Sequence, residues 1–271
     1  MRKIKAGFVG FWEVNTPREI IERKCRRARE QVASLDIDVV WTAPVSDDPG
    51  GRDVARAVTE LSREDFDLLI LCVAGWIPSH AVIAVADRFR HKPMLLWGLT
   101  GWKEGNRFVT TADQAGTTAL RKPMADMGFR FGYVATSLGA PPELARIADF
   151  ANAARAAVLL RGARIGMMGY RDMNLYGTLH DGVSLRARIG PEVEVFEMLE
   201  VAQTIEKLDP KKIAALAANV RKRWRFVKPP AAGTVENSVR LYLAVSAKVR
   251  ERGYQAVSLK DVDGVKKLMK F

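Results

Sequence analysis

Phe66-Asp-Leu-Leu-Ile-Leu-Cys-Val73, followed at once by Ala74-Gly75-Trp76, decides the fold class of this chain. Six consecutive apolar residues, Leu68–Val73, with no alternation of polar and apolar positions, describe a strand buried on both faces. Such strands belong to parallel sheets covered by helices on each side, so the elements around this one should alternate between short β-rich runs and longer helical patterns. They do. Upstream, the reading gives strands at Ile4–Gly10 and Asp38–Thr42 and helices at Pro17–Ala33 and about Asp53–Leu61. Thr16 stands as the helix cap and Pro17 at the first helical position. Downstream come a helix at Ser79–Arg88, a strand at Pro93–Trp97, a helix at about Ala115–Met127, a strand at Phe131–Ala135 and a long helix at Pro141–Leu160.

The alternation restarts at Arg161-Gly162 with a strand at Ala163–Gly169. Helical patterns follow at Leu179–Arg188, Glu197–Lys207, Pro210–Arg225 and Thr234–Arg252, then a strand at Gln255–Leu259 and a last helix at Asp261–Met269. The expected architecture is α/β: two doubly wound parallel-sheet domains of flavodoxin or Rossmann type, one over residues 1–161 and one over 162–271.

Composition narrows the class. The 271 residues are 48% apolar and 27% charged, ordinary for a globular chain and too apolar for a disordered one. Cys25 and Cys72 are the only cysteines, which excludes a disulfide scaffold. The longest apolar runs fall well short of the roughly 20 residues a membrane span needs. Met1-Arg-Lys-Ile-Lys leads into a strand without an apolar leader, so the expectation is a cytoplasmic protein with no membrane partner.

Five of the six tryptophans, Trp12, Trp41, Trp76, Trp97 and Trp102, fall at or just beyond the carboxyl ends of expected strands. Open α/β sheets bind ligands outside those ends, at the point where strand order reverses. In a flavodoxin-like order that point lies between the first and third strands, which would bring Phe11-Trp12-Glu13 beside Gly75-Trp76. An indole offers a flat apolar face and one N–H donor, suited to a sugar or another small polar ligand. Trp12, Glu13 and Trp76 are therefore candidate substrate-binding residues, with His80 as a neighbour on the loop after the third strand. For Trp41 and Trp97 the competing reading is that they cap the core.

Other chemistry is missing. Gly7-Phe-Val-Gly10 lacks the three-glycine dinucleotide spacing, and there is no phosphate-binding lysine loop or nucleophile elbow. His80, His91 and His180 have no zinc-site spacing, so no metal ligands and no catalytic residues are assigned within the chain. The charge balance, 43 lysines and arginines against 31 aspartates and glutamates, gives a net charge of +12. Arg221-Lys-Arg-Trp-Arg-Phe-Val-Lys228 concentrates that charge. It reads as a solvated helix face with inward aromatics or a subunit contact, ahead of a nucleic-acid grip.

Ala163-Arg-Ile-Gly-Met-Met-Gly-Tyr-Arg-Asp-Met173, with Thr178, Asp181 and Gly190-Pro-Glu-Val-Glu-Val, resembles the second domain of the L-fucose/L-arabinose isomerase superfamily. Gly75-Trp76, Met124-Ala-Asp-Met-Gly-Phe129 and the helix from Arg146 to Leu160 resemble its first domain, and Tyr254–Gly264 resembles the strand and turn that close its central one. The resemblance implies metal-dependent aldose–ketose isomerisation, usually with Mn2+, by a homo-oligomer built on trimers, a trimer or hexamer. It implies that the ligating carboxylates and His lie on a further domain, so that residues 1–271 supply walls of the sugar pocket and bind no ion themselves. By position it adds Met173 as an apolar pocket contact. The alternative is a non-catalytic carbohydrate-binding or regulatory module of the same fold.

Overall fold

The computed structural model describes residues 3–270; Met1, Arg2 and Phe271 lie outside them. The first elements are β1 (Ile4–Phe11), α1 (Arg18–Ala33), β2 (Ile37–Trp41), α2 (Arg52–Leu61), β3 (Leu68–Val73), α3 (Ser79–Arg88) and β4 (Met94–Leu99). A two-stranded antiparallel hairpin of β5 (Trp102–Glu104) and β6 (Arg107–Val109) comes next, then α4 (Asp113–Asp126), β7 (Phe131–Thr136) and α5 (Leu144–Gly162). The remainder is β8 (Arg164–Met168), α6 (Gly182–Arg188), β9 (Glu192–Phe196), α7 (Met198–Glu206), α8 (Pro210–Arg223), α9 (Thr234–Arg252) and β10 (Ala256–Leu259). A short 3-10 turn spans Tyr176–Thr178, and a π-helix spans Asp261–Leu268. Contacts divide the chain into two compact units, Met1–Val158 and Leu159–Phe271, and the division falls inside α5.

The first unit is a five-stranded, wholly parallel sheet in the order β2-β1-β3-β4-β7. The apolar run of β3 explains how it is covered. Leu69, Leu71 and Val73 enter one core, packed with Ala57 and Leu61 of α2, Val82 and Val85 of α3, and Leu120 and Met124 of α4. Leu68, Ile70 and Cys72 enter the other, packed with Ile21, Cys25 and Val32 of α1 and with Ile147 and Ala151 of α5. Successive strand residues point to opposite faces, so a strand with a core on each side needs apolar residues at every position. The sheet is doubly wound, as the β3 run requires.

The second unit holds a three-stranded parallel sheet, β10-β8-β9, with helices α6–α9. Its core gathers Met168, Phe196, Val201, Ala244, Tyr254 and Val265, and a second small cluster joins Ile213 and Ala217 of α8 to Val235 and Val239 of α9. Among the described residues no helix is long and apolar enough to cross a membrane.

Several local expectations are corrected. Thr16 is not the cap of α1. Pro17 holds that place, its carbonyl accepting from the N–H groups of Ile20 and Ile21, while the Thr16 hydroxyl donates to Glu13. The fifth helix begins at Leu144 rather than Pro141, because a residue that precedes proline is pushed out of the helical region and Ala140-Pro141-Pro142 repeats that constraint. Residues 192–196, left without a strand by the sequence reading, form β9. The last segment is a π-helix, with the N–H of Val265 bonded to the Lys260 carbonyl and that of Met269 to Gly264. Trp97 does not end its strand, since Gly98 and Leu99 continue it; the ring is fully buried and its Nε1 donates to Thr136 Oγ1 at 2.9 Å. Trp97 thus belongs to the core, but Trp41 does not cap it: Trp41 is 55% exposed, with the Arg29 guanidinium 3.7 Å from its ring centre. The basic stretch is helical only to Arg223, and its aromatics do not turn inward: Trp224 is 68% exposed. Arg221 is held by Glu236 at 2.7 Å.

Candidate functional site

Strand order reverses in the first unit between β1 and β3, and the loops that leave those two strands meet there. The N–H groups of Ala74 and Gly75 both donate to the Phe11 carbonyl, at 3.0 and 3.2 Å. A Cβ on Gly75 would lie 3.1 Å from Ile21 Cδ1, 3.5 Å from Trp12 Cβ and 3.5 Å from Thr111 Oγ1. A side chain at this position would press on Ile21 and touch the other two segments, so the glycine eases their close approach. The structure thus brings together Trp12 and the Gly75-Trp76 turn, whose carriers are 64 positions apart in sequence only because helices and strands intervene.

Each loop is fixed by its own polar contacts. After β1, the Trp12 N–H donates to the Val45 carbonyl at 3.1 Å and the Val14 N–H to Asp47 Oδ1 at 2.9 Å, which ties the loop to the segment after β2. Glu13 is engaged inside its own turn: its carboxylate accepts from Asn15 Nδ2 at 2.7 Å, from the Asn15 N–H and from the Thr16 hydroxyl. It shapes the loop and has little capacity left for a ligand. After β3, the Trp76 N–H donates to Thr111 Oγ1 at 3.2 Å, and the indole is 38% exposed. Its Cδ1 lies 3.4 Å from where a Cβ of Gly116 would stand, so α4 passes close beneath the ring. His80 sits on the first turn of α3 and is exposed.

A small cavity of about 240 Å³ opens beside Trp12 and is lined by Arg18, Ala43, Pro44, Asp53 and Arg56. Arg56 makes it rigid. Its guanidinium donates to Thr42 Oγ1 at 2.7 Å, to the carbonyls of Ala43 and Pro44, and to Asp53 Oδ1 at 3.1 Å. Burial pushes the Asp53 carboxyl up, but the Ser46 hydroxyl and N–H and the Arg56 guanidinium outweigh it and hold the group below the ordinary carboxylate value. Sequence reasoning missed Asp53 and Arg56. Their spacing of three on α2 is that of any surface ion pair, and only the fold turns them toward the sheet end.

The segment after β4 is locked from beneath by one buried carboxylate. Asp113, the first residue of α4, is fully buried; Oδ2 accepts from the Gly101 N–H at 2.7 Å and from Lys24 Nζ at 3.1 Å, and Oδ1 from the Thr110 hydroxyl at 2.9 Å. Lys24 also donates to the Leu99 carbonyl at 3.0 Å. Asp113 thereby pins both ends of the hairpin segment, at Gly101 and at Thr110, the neighbour of Trp76's partner Thr111. This residue was also missed, since an Asp at a helix start reads only as a cap.

Met173 belongs to the second unit, on the loop after β8. It is exposed, in a left-handed conformation with φ +49°, and its N–H donates to Asp172 Oδ1 and Asp263 Oδ2. Asp172 is the organising group there. It accepts from the N–H groups of Val262 and Asp263, both at 2.9 Å, at the start of the π-helix. The Asp263 N–H, then those of Val262 and Met173, hold the Asp172 carboxyl below its usual range against the opposing effect of burial. Among the described residues no group of three or more His, Cys, Asp or Glu side chains converges to hold a metal ion. Compared with known proteins, the chain matches no family model and no curated sequence.

Proposed function

We propose that this chain forms part of the sugar pocket of a metal-dependent aldose–ketose isomerase related to the L-fucose and L-arabinose isomerases. The observation that carries the reading is the meeting of Trp12 and the Gly75-Trp76 turn at the reversal of strand order, the place where an open α/β sheet receives a ligand. On this reading Trp76 offers the C–H face of a sugar its exposed ring, and the Arg56–Asp53 network beside Trp12 keeps the opposite loop from yielding.

Isomerisation moves a proton between C1 and C2 through an enediol, which must be shielded from bulk water. Rigid aromatic walls orient the sugar and exclude water, contributions that raise the reactive population without taking part in proton transfer. The resemblance assigns the Mn2+ and the acid–base groups to a further domain. The described residues offer no cluster of three or more His, Cys, Asp or Glu side chains to hold the ion. The homo-oligomer implied by the resemblance would set this wall against the catalytic groups of another subunit.

The test is titration of the chain with a panel of aldoses while tryptophan emission is followed. Saturable quenching that Trp76→Ala removes supports the reading. Quenching unchanged in Trp76→Ala, or a flat response across the panel, counts against a sugar at this face.

A further inference from the structure

On the α1 side of the sheet, beyond the carboxyl ends of β4 and β7, helix α1 and the segment 137–142 enclose a cavity of about 590 Å³. That volume lies within the range of small-molecule sites, and the position is again outside the ends of parallel strands. None of the residues assigned to the sugar lines it. Its charge is one-sided. Lys24, Arg27 and Lys103 line the cavity, and no Asp or Glu does. The Lys24 ammonium is neutralised by buried Asp113, but Arg27 and Lys103 have no ion-pair partner among the described residues.

The remaining wall is of two kinds. Thr100, Ser137 and Gln31 bring neutral hydrogen-bonding groups, whereas Leu138 and the Pro141-Pro142 pair bring an apolar face. Two uncompensated cations in a concave, partly apolar setting concentrate a positive potential, which an anion of about two charges relieves. A phosphate monoester carries about −1.5 to −2 at neutral pH and matches the guanidinium fork in a bidentate pair. We propose that this cavity binds a small organic phosphate monoester, with the phosphate between Arg27 and Lys103 and the organic part against Leu138 and the prolines. The site is separate from the Trp12–Trp76 face and does not depend on the sugar reading.

Phenyl phosphate, titrated calorimetrically into the full chain at low salt, tests it, with phenol and inorganic phosphate as separate arms. Binding at one site per chain, tighter for phenyl phosphate than for either fragment, and weakened at least tenfold in Arg27→Ala/Lys103→Ala is the expected result. Arg27 and Lys103 are both exposed, so the double variant should fold, which the circular dichroism spectrum will verify. Because the protein is strongly basic, Arg223→Ala/Arg225→Ala in the basic stretch serves as the control for general charge. Equal loss in that control, retention in the cavity variant, or no saturable binding of phenyl phosphate each overturns the proposal.

Discussion

Replacing Asp113 by alanine should do more harm than its place on the first turn of a helix suggests. The carboxylate is fully buried and its partner Lys24 is only 11% exposed, so this is a buried ion pair. Removing the acid leaves the ammonium with only the Leu99 carbonyl and the Trp102 ring, and leaves the Gly101 N–H and the Thr110 hydroxyl without their acceptor. Breaking such a pair from one side costs about 3–5 kcal/mol, because an uncompensated charge stays buried. Removing both charges in Lys24→Met/Asp113→Ala should cost less than the sum of the single changes, with a coupling of about 1–3 kcal/mol. Urea unfolding followed by tryptophan emission reads the first unit well: it holds five of the six tryptophans, Trp97 fully buried among them, whereas Trp224 of the second unit is already exposed. At a slope of about 2 kcal/mol per molar urea, the midpoint should fall by about 1.5–2.5 M. A loss under about 1 kcal/mol, or strictly additive single and double variants, would mean that Lys24 and Asp113 do not act as a coupled buried pair.

Three further outcomes follow from particular contacts. A Cβ on Gly10 would lie 2.3 Å from Cys25 Sγ, so Gly10→Ala should destabilise the first unit by about 1–3 kcal/mol, the usual cost of overpacking, and Cys25→Ala should restore part of it in the same urea assay. Asp172 has a lowered carboxyl pKa in the folded second unit and titrates near 3.9 when unfolded, so its stabilisation is complete above about pH 4 and is lost as pH falls through the lower folded value. Asp172→Asn should therefore flatten the acid limb of second-unit stability, read by amide exchange at Val262 and Asp263; an unchanged limb would show that the carboxylate is not the capping charge. Gly75→Ala places a methyl 3.1 Å from Ile21 Cδ1, tighter than that core tolerates without a shift, and should weaken the sugar response more than it lowers the urea midpoint.

Much of the first unit is legible in its sequence because burial on two faces leaves no ambiguity: Leu68–Val73 has to be a central strand, and the punctuated helices around it follow. The second unit is less legible. Glu192–Phe196 alternates charged and apolar residues as a half-exposed strand should, yet its five residues stand between two helical patterns and directly after Gly190-Pro191. The β5–β6 hairpin was missed because each strand has three residues and the only local cue is Gly105-Asn106. At the candidate site, the tryptophans stand out in the sequence because they fall at the ends of expected strands. Asp53, Arg56 and Asp113 were not, since their roles depend on which loops come to rest against them. The exposure of Trp41 is the instructive failure: an edge strand has a neighbour on one side only, and Arg29 rather than the core supplies the cover for its ring.

The native product purified from its own cells gives the most direct test of sugar isomerisation. Incubated with aldoses and Mn2+ in deuterated water, it should convert one of them to the ketose with solvent deuterium at the carbon that exchanges its proton, and Trp76→Ala should raise KM or lower kcat. A native product that isomerises no aldose under these conditions would contradict the isomerase reading.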